Sequence, residues 1–321
     1  MRVLITGGAG YVGSTLAPLL LAAGHKVRVL DRLSYGGESL LGVWSHPNFE
    51  FVHGDVRDRE TLRHAVSECE AVVHLAAIVG DPACAREPET ASAVNLDASM
   101  ALIEESRSAG VQRFVFASTC SNYGKMKDPS KFVNEESELQ PVSLYAETKV
   151  AVEKFLLGSA ADGWSPTPLR FATVFGVSPR MRFDLTVNEF TMEMITKKHL
   201  VVFGEQFWRP YVHVFDAARG IALILSSSPD KVAGRVFNVG STDQNLQKQQ
   251  IVEMIQPLVP DAKVEFVHKN EDPRDYRVSF YRILGELGYK TTRSVGEGIA
   301  EVAKLVRAGA ISNLADNRYR N

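Results

Sequence analysis

The glycine-rich stretch GGAGYVG at positions 7–13 constrains the fold more than any other feature of the sequence. It follows the apolar run RVLIT and precedes a helix-length segment, and Gly7, Gly10 and Gly13 are spaced as GxxGxxG. Glycines in such a turn allow a tight strand-to-helix connection and a close approach of the backbone to a diphosphate, whose charge rests at the helix N-terminus. The stretch therefore predicts a dinucleotide site in the first strand-helix unit of an α/β sheet.

Short apolar runs alternate with helix-length segments through the first half of the chain. The expected strands, rich in β-branched residues, are 2–6, 26–30, 49–53, 71–75, 113–117 and 167–175. The expected helices include 11–23, 59–68, 89–109 and 143–157. Because strands and helices alternate, we predict an α/β fold with a doubly wound parallel sheet and helices on both of its faces.

The alternation ends after Gly176. Prolines, glycines and aromatic residues cluster in GVSPRMRFD and FGEQFWRPY, which favours a ligand-facing lobe over another strand-helix repeat. We expect a dinucleotide-binding domain over residues 1–175 and a smaller C-terminal substrate-binding lobe over 176–321. The run VFNVG at 236–240 is expected to return to the sheet, so segments near 211–242 would interleave the two domains.

Composition excludes several classes of partner. The chain of 321 residues has a formal net charge of −2 and no Lys/Arg run, so we expect no nucleic-acid partner. Cys69, Cys84 and Cys120 are not in CxxC spacing, which favours a reducing compartment without a metal site or disulfides. No apolar run is long enough to cross a bilayer and no leader pattern precedes RVLITGG, so we expect a cytoplasmic protein without membrane contact.

The second expected strand ends in Asp31, as a dinucleotide-binding unit requires. Its carboxylate can accept hydrogen bonds from the adenosine ribose hydroxyls and would repel a 2′-phosphate, which favours NAD over NADP. Arg32 weakens this inference, because an arginine at that place could receive the 2′-phosphate. Asp55, in GDV after the third strand, could accept the adenine amino group, or it could be an ordinary solvated aspartate.

The stretches STCSNYG and YAETK carry the chemistry. Tyr145 and Lys149 lie one turn apart on an expected helix, and Thr119 lies at the tip of an expected strand. A lysine ammonium and a positive nicotinamide ring would favour the phenolate and lower the pKa of the tyrosine from its ordinary value of about 10. A threonine hydroxyl can bind the same substrate oxygen. The set suits reversible oxidation of an alcohol to a ketone.

The chain resembles the extended short-chain dehydrogenase/reductase family, whose members include the NAD-dependent epimerases and dehydratases of nucleotide sugars. The resemblance runs from ITGGAGYVG to about EDPRDYRVSF. It also includes GDV, HLAA, VNLDAS, STCSNYG, YAETK, LRFATVFG, RPYVHVFD and FNVG in family order. It implies a Rossmann fold, bound NAD, a nucleotide-diphosphate sugar as substrate and, together with the long apolar helices, a homodimer.

The resemblance also implies roles for individual residues. Thr119, Tyr145 and Lys149 would be catalytic. The cofactor would be bound by Gly7, Gly10, Tyr11, Val12, Gly13, Asp31, Arg32, Asp55, Val56, Leu75, Ala76, Ala77, Asn95, Tyr145 and Lys149. The substrate would be bound by Thr119, Ser121, Asn122, Thr173, Asn188, Arg209 and Arg274. In this set Arg209 and Arg274 match the family's two diphosphate arginines, and Thr173 replaces an asparagine that many members carry.

The residues after Thr119 bear on the reaction. Dehydratases that the chain resembles carry Asp-Glu there, to remove a hydroxyl from C6, whereas this chain has Cys120 and Ser121. Small residues at these positions are closer to the 4-epimerases, in which a transient 4-keto sugar rotates before it is reduced. We therefore expect an epimerase acting at C4. A 4-keto-sugar reductase, a dehydratase and a non-catalytic NAD(P)-sensing protein remain as alternatives.

Overall fold

The structure, a computed structural model, describes residues 1–126, 128, 131–269 and 274–321. Its strands are β1 (Arg2–Thr6), β2 (Lys26–Asp31), β3 (Phe49–His53), β4 (Ala71–His74), β5 (Arg113–Thr119), β6 (Ser165–Phe171), β7 (Thr173–Phe175), β8 (His199–Phe203), β9 (Trp208–His213), β10 (Phe237–Val239), β11 (Asn245–Gln247) and β12 (Lys263–Val267).

Helices connect most of these strands. They are α1 (Gly13–Ala22), α2 (Arg59–Val66), α3 (Asp81–Arg86), α4 (Pro88–Ser92), α5 (Ala98–Ser108), α6 (Leu144–Gly158), α7 (Thr186–Lys197), α8 (Val214–Ser226), α9 (Pro229–Val232), α10 (Lys248–Ile255), α11 (Tyr281–Leu287) and α12 (Val295–Arg307). Within the described ranges, no helix is long and apolar enough to cross a membrane.

The predicted parallel sheet is confirmed. Among the described residues it has seven strands in the order β3-β2-β1-β4-β5-β6-β10, and every neighbouring pair is parallel. Successive side chains of a strand alternate between two apolar layers, because Val3 and Ile5 pack on one face and Leu4 packs on the other. The chain runs outward from β1 to β3 and then returns beside β1 as β4, so a ligand crevice opens between the tips of β1 and β4.

The expectation of one strand over 167–175 is wrong. The chain forms β6, which pairs with β5 and β10 in the main sheet, and then turns at Ala172 into β7. Strand β7 pairs with β9 in a second sheet of order β11-β9-β7. A run of apolar residues cannot reveal this change of sheet, since both strands are extended and largely buried.

The helix expected over 89–109 is also interrupted. Helices α4 and α5 flank a π-helical turn at Ala93–Asp97, which contains Asn95. Such turns in α-helices are frequent near functional sites because they redirect one side chain. Here the turn directs Asn95 toward the loop that follows β4.

The lobe that covers the carboxyl ends of the main strands has its own apolar core. Helices α7, α10 and α12 pack with β8 and β9 around it, through residues such as Met194, Val202, Tyr211, Ile251 and Ile299. Strand β10 pairs with β6, so the chain enters the lobe after β7 and returns to the main sheet before β11. The lobe therefore faces the crevice from above the tips of the main strands.

Candidate active site

A turn between β1 and α1 forms the floor of the crevice. Gly7 has a φ of +71°, and a Cβ atom there would lie 2.8 Å from the backbone nitrogen of Ala76. A Cβ atom at Gly13 would lie 2.5 Å from the carbonyl oxygen of Gly7. The two glycines thus let β1, β4 and α1 approach closely. The N-cap residue Val12 makes no side-chain hydrogen bond to the first turn of α1, which suits binding of a diphosphate at this end.

Asp31 lies at the end of β2 and lines the crevice. Its Oδ2 accepts from the backbone N–H of Ala9 at 3.0 Å, and its Oδ1 accepts from that of Leu33 at 2.8 Å. Burial raises the pKa of this carboxyl, and the two backbone donors oppose that effect. Each oxygen keeps one lone pair, so the carboxylate can still accept from ribose hydroxyls.

Arg32 and Asp55 lie beside each other at the adenosine end of the crevice. The Nη1 of Arg32 is 3.4 Å from Oδ2 of Asp55. Arg57 binds the same carboxylate through Nε at 3.0 Å and Nη2 at 2.7 Å, and this pairing lowers the pKa of Asp55 to about 2. Arg57 was not predicted. Arg32 and Arg57 share this one carboxylate, so the adenosine end keeps a net positive charge.

One cavity of about 700 Å³ runs from the glycine turn to the lobe. It collects most of the residues predicted from the sequence. Those that line it are Gly7, Gly10, Tyr11, Val12, Gly13, Asp31, Arg32, Asp55, Val56, Leu75, Ala76, Ala77, Thr119, Ser121, Tyr145, Lys149, Thr173, Arg209 and Arg274. These residues come from both parts of the chain, so the cavity lies between the main sheet and the lobe.

Thr119, Tyr145 and Lys149 all line this cavity. Thr119 ends β5, and its Oγ1 accepts from the backbone N–H of Ser121 at 3.1 Å. Helix α6 begins at Leu144 because Ser143 caps it, accepting from the N–H of Ala146 at 3.3 Å. The cap places Tyr145 in the first turn and Lys149 in the second, both facing the strand tips.

The expectation that Lys149 lowers the pKa of Tyr145 does not describe the protein alone. Burial is the largest influence on both groups, because it disfavours the charged form of each. It raises the pKa of the Tyr145 phenol and lowers that of Lys149 to about 8. The Lys149 side chain is only 2% exposed, and its Nζ lies 4.7 Å from the centroid of the Phe116 ring. Tyr145 therefore stays protonated until a further positive charge enters the site.

The two residues after Thr119 point in different directions. Cys120 is buried, its Sγ donates to the carbonyl of Arg170 at 3.3 Å, and burial raises the pKa of the thiol well above its ordinary value. It is absent from the described lining of the cavity and packs in the apolar core instead. Ser121 does line it, with Oγ 3.4 Å from the hydroxyl of Tyr276.

Three asparagines that were predicted to bind ligands, Asn95, Asn122 and Asn188, are absent from the described lining of the cavity and lie behind its wall. Asn95 binds both backbone groups of Ile78, through Oδ1 at 2.8 Å and Nδ2 at 2.9 Å. Asn122 donates to the hydroxyl of Ser118 at 3.0 Å. All three asparagine side chains are fully buried. The amides of Asn95 and Asn122 form hydrogen bonds with polar groups of the cavity wall. The structure therefore gives them a supporting position and does not place them in contact with the predicted ligands.

Asn188 is the third of these asparagines. Its Oδ1 accepts from the N–H of Gly176 at 2.9 Å, and its Nδ2 donates to the carbonyl of Arg182 at 2.9 Å and the hydroxyl of Tyr11 at 3.1 Å. The expected nucleotide contact is corrected, because Asn188 lies on the buried face of α7. It fastens the segment after β7 to the glycine turn.

The lobe contributes two arginines to the cavity. Arg209 in β9 is 8% exposed, and its guanidinium carbon lies 5.4 Å from the centroid of the Tyr276 ring. Arg274 donates to Oδ2 of Asp81 at 2.9 Å. The residues that precede it in the motif DPRDY, Asp272 and Pro273, lie outside the described residues. Two cations on one wall suit a second diphosphate.

The sequence interpretation missed several polar residues of the cavity: Asp81, Arg180, Arg182, Asp184, Lys248 and Tyr276. Asp81 lies in the segment that follows β4. Its position after a strand of the sheet could have predicted that it lines the ligand cavity. Arg180, Arg182 and Asp184 belong to the segment GVSPRMRFD, which composition marked as ligand-facing without marking individual residues. In the described part of the chain, no group of His, Cys, Asp and Glu forms a metal site.

Comparison with known proteins places this cavity among nucleotide-sugar enzymes. The model of the NAD dependent epimerase/dehydratase family matches residues 3–240. A UDP-glucose 4-epimerase of Corynebacterium glutamicum is 30% identical over 310 residues, covering 90% of each chain. A dTDP-glucose 4,6-dehydratase of Actinoplanes sp. is 29% identical over 325 residues, covering 96% of this chain and 98% of the relative.

The solved structures that are similar to this chain also include epimerases and dehydratases of nucleotide sugars. A UDP-glucose 4-epimerase from Thermotoga maritima with UDP-glucose superposes with a TM-score of 0.85 and 26% identity, covering 97% of this chain and all of the other. A dTDP-glucose 4,6-dehydratase from Streptomyces venezuelae with NAD bound superposes with a TM-score of 0.84 and 28% identity, covering 97% of each chain. Epimerases and dehydratases are thus about equally similar to this chain.

Proposed function

The chain belongs to the NAD-dependent epimerase/dehydratase family, and we propose that it inverts C4 of a nucleotide-diphosphate hexose through a transient 4-keto sugar. When bound, NAD supplies the acceptor and then the donor for the hydrogen at C4. The glycine turn, Asp31 and the open N-terminus of α1 fit its diphosphate and adenosine ribose. The protein's own residues must then bind the sugar, move one proton at the C4 oxygen and return it.

Tyr145 is the group that moves this proton. Tyr145 and Thr119 both line the cavity, and we expect their hydroxyls to hydrogen-bond one substrate oxygen. Lys149, buried one turn further along α6, lines the same cavity. Its ammonium would favour the phenolate and would bind the nicotinamide ribose. Tyr145 would accept the proton during oxidation and give it back after the keto sugar has turned over in the site.

The observation that carries the epimerase proposal is the pair of residues after Thr119. Removal of the C6 hydroxyl requires a strong acid/base beside the sugar. At the first of the two positions Cys120 faces the core, and at the second Ser121 presents only a hydroxyl to the cavity. Neither side chain can replace the carboxylates that a dehydratase would use there.

Other carboxylates of the described cavity wall are already engaged. Asp31 accepts from two backbone N–H groups, and Asp55 is bound by Arg57. Asp184 is bound by Arg182 through two hydrogen bonds, of 3.0 and 2.7 Å. Asp81 accepts from Ser143 at 2.7 Å as well as from Arg274. Pairing with Arg57 lowers the pKa of Asp55 to about 2, and pairing with Arg182 lowers the pKa of Asp184 against the effect of burial, so both are poor proton donors at neutral pH.

The nucleotide-sugar diphosphate would bind on the lobe side of the cavity. Arg209 and Arg274 both line that wall, and guanidinium groups suit phosphate oxygens. Substrate binding would compete with Asp81 for Arg274. Thr173, at the start of β7, can donate a hydrogen bond to the same ligand.

A panel of nucleotide hexoses, with uridine, thymidine, guanosine and cytidine bases, tests the proposal. The purified protein is incubated with each sugar without added NADH or NADPH, and products are identified by NMR. We expect a C4 epimer from one of them and no net NADH absorbance. A 4-keto-6-deoxy product would identify a dehydratase, and conversion of a 4-keto sugar that needs added NAD(P)H would identify a reductase. Cofactor binding without any turnover would favour a sensing protein.

A further inference from the structure

The segment Asp316–Asn321 spans the cofactor end of the cavity. On one side, Nη1 of Arg318 is 3.0 Å from Oε1 of Glu38, which follows the β2 strand that carries Asp31. On the other side, the backbone N–H of Asn321 donates to Oδ2 of Asp184 at 3.0 Å. The segment thus connects two walls of the cleft, and Asn321 itself lines the cavity.

A hydrophobic contact fixes the middle of this segment. The rings of Tyr319 and Phe183 lie edge to face with their centroids 6.0 Å apart. The backbone N–H of Phe183 also donates to the carbonyl of Tyr319 at 2.8 Å. Phe183 is fully buried, so the contact anchors the segment Asp316–Asn321 to the chain between β7 and α7.

Arg180 lies under this segment and over the glycine turn. It is 5% exposed and lines the cavity, and its guanidinium carbon lies 3.9 Å from the centroid of the Tyr35 ring. Its Nη2 donates to Oδ1 of Asn321 at 2.9 Å and to the carbonyl of Arg320 at 3.3 Å. Its backbone N–H donates to Oγ of Ser14, in the first turn of α1, at 3.3 Å.

Arg180 forms no salt bridge with a carboxylate of the described residues, although the charges of Asp31 and Asp184 act on it from a greater distance. Its Nε is buried and has no hydrogen-bond partner among the described residues. A neighbouring carboxylate, that of Asp184, is bound by both arms of Arg182. Burial and then the charge of Arg182 lower the pKa of Arg180 to about 10. A buried cation in a cavity that opens on a helix N-terminus is suited to an anion that reaches both.

We propose that Arg180 binds the diphosphate of the dinucleotide and that the segment Asp316–Asn321 is a clasp, which holds Arg180 in place and slows release of the cofactor. The cofactor leaves only when the contacts of Arg318 and Tyr319 open. Slow release suits an enzyme that reuses one cofactor molecule in every turnover. The proposal requires only that NAD binds in this cavity, so it holds whether the reaction is epimerisation or dehydration.

The arginine is tested by binding measurements on protein stripped of cofactor. Arg180→Gln keeps most of the side chain but removes its charge. We expect the affinity for NAD and for ADP-ribose to fall about tenfold to hundredfold, which corresponds to one lost charge-assisted contact. The affinity for adenosine, which has no phosphate, should stay within about twofold of wild type. Equal affinities of wild type and variant for ADP-ribose would overturn the assignment of Arg180.

The clasp is tested by the rate at which NADH fluorescence is lost when the loaded protein is mixed with excess NAD. Deletion of residues 317–321 should accelerate release by about tenfold or more, because weakened binding is expressed mainly in the dissociation rate. Arg318→Gln and Tyr319→Ala should give smaller accelerations of the same sign. Arg235→Gln is the matched control, since it breaks a surface pair with Glu286 at 2.7 Å remote from the cavity.

The melting temperature of each stripped variant shows whether it is folded. If the deletion variant is folded and releases NADH at the wild-type rate, the clasp is refuted. If the deletion variant does not fold, the same criterion is applied to Tyr319→Ala: release of NADH at the wild-type rate by this variant refutes the clasp. The clasp would also be refuted if Arg180→Gln lost affinity for NAD while the deletion, Arg318→Gln and Tyr319→Ala all released NADH at the wild-type rate.

Discussion

The Nζ atom of Lys149 lies 5.8 Å from the centroid of the Tyr145 ring, and both residues line the cavity. At this distance each group influences the charge of the other, yet burial disfavours the charged form of both. The protein alone therefore holds a neutral phenol beside an amine whose pKa is about 8. At neutral pH this amine is mostly protonated while the phenol stays neutral, and the ionisation of these two groups leads to the first two predictions.

Replacing Tyr145 with Phe should abolish turnover while leaving the fold and NAD binding intact. The change removes only the hydroxyl, and general acid–base groups contribute about 10²–10⁴-fold to rate. Steady-state rates and NAD titrations measure the two effects. Tyr281→Phe is the control, because Tyr281 is 64% exposed on α11. A variant at 145 that keeps more than about a tenth of the wild-type rate would contradict the role given to Tyr145.

Replacing Lys149 with Met should change how stability depends on pH. The folded-state pKa of Lys149 is about 8, below the unfolded value of about 10.4. Between these values the unfolded chain binds a proton that the folded chain does not, so this lysine makes stability rise with pH. The free energy of unfolding of wild type minus that of Lys149→Met should increase by about 2 kcal/mol from pH 8 to pH 10. Denaturant titrations of cofactor-free protein measure it, and a constant difference would contradict the burial of a neutralised lysine.

Arg209→Ala and Arg274→Ala should weaken nucleotide-sugar binding far more than NAD binding. Each loss removes a charge-assisted phosphate contact worth about 1.5–3 kcal/mol. For Arg274 the loss is partly offset, since the free protein already pairs it with Asp81. Calorimetry with the sugar identified in the panel, and with NAD, separates the two effects. Arg235→Ala serves as the control, and unchanged sugar affinity in both cavity variants would mean that the diphosphate binds elsewhere.

Cys120→Ala should keep most of the activity. The thiol is buried against the carbonyl of Arg170 and has a raised pKa, so it cannot exchange protons with a sugar at neutral pH. We expect a stability loss of about 1 kcal/mol from the small cavity created in the core. Turnover and melting temperature are measured on the same preparation. A loss of rate as large as that of Tyr145→Phe in a folded, NAD-bound variant would show that Cys120 is an acid/base.

The sequence predicts the site best where a residue's role depends on the conformation of its own short segment. Gly7 and Gly13 are required by close backbone approach, and their spacing between a strand and a helix, with Asp31 at the end of the next strand, predicts a dinucleotide-binding turn. Thr119, Tyr145 and Lys149 are predictable because a strand tip and one helical turn bring them together. The parallel sheet follows from alternating strands and helices. In each case a local pattern determines the geometry.

The sequence is less informative where position depends on packing between distant segments. Asn188 was expected to contact the nucleotide, but it fastens Gly176 to Tyr11 from the buried side of α7. The apolar periodicity of a helix does not show whether a polar side chain on its buried face forms hydrogen bonds within the protein or with a ligand. The break at Ala172 was missed for a related reason, since only pairing partners separate β6 from β7. Arg180 was missed because its partners at 320 and 321 are 140 residues or more away along the chain.

Deuterium tracing tests the central claim, inversion of C4 by a recycled cofactor, most directly. The substrate found in the panel is prepared with deuterium at C4 and converted without added NAD(P)H. We expect NMR and mass spectrometry to find the C4 epimer with deuterium retained at C4, because the hydrogen removed from that carbon returns to it. Deuterium at C6 of a 4-keto-6-deoxy sugar, or a product that has lost the deuterium from C4, would contradict the epimerase account.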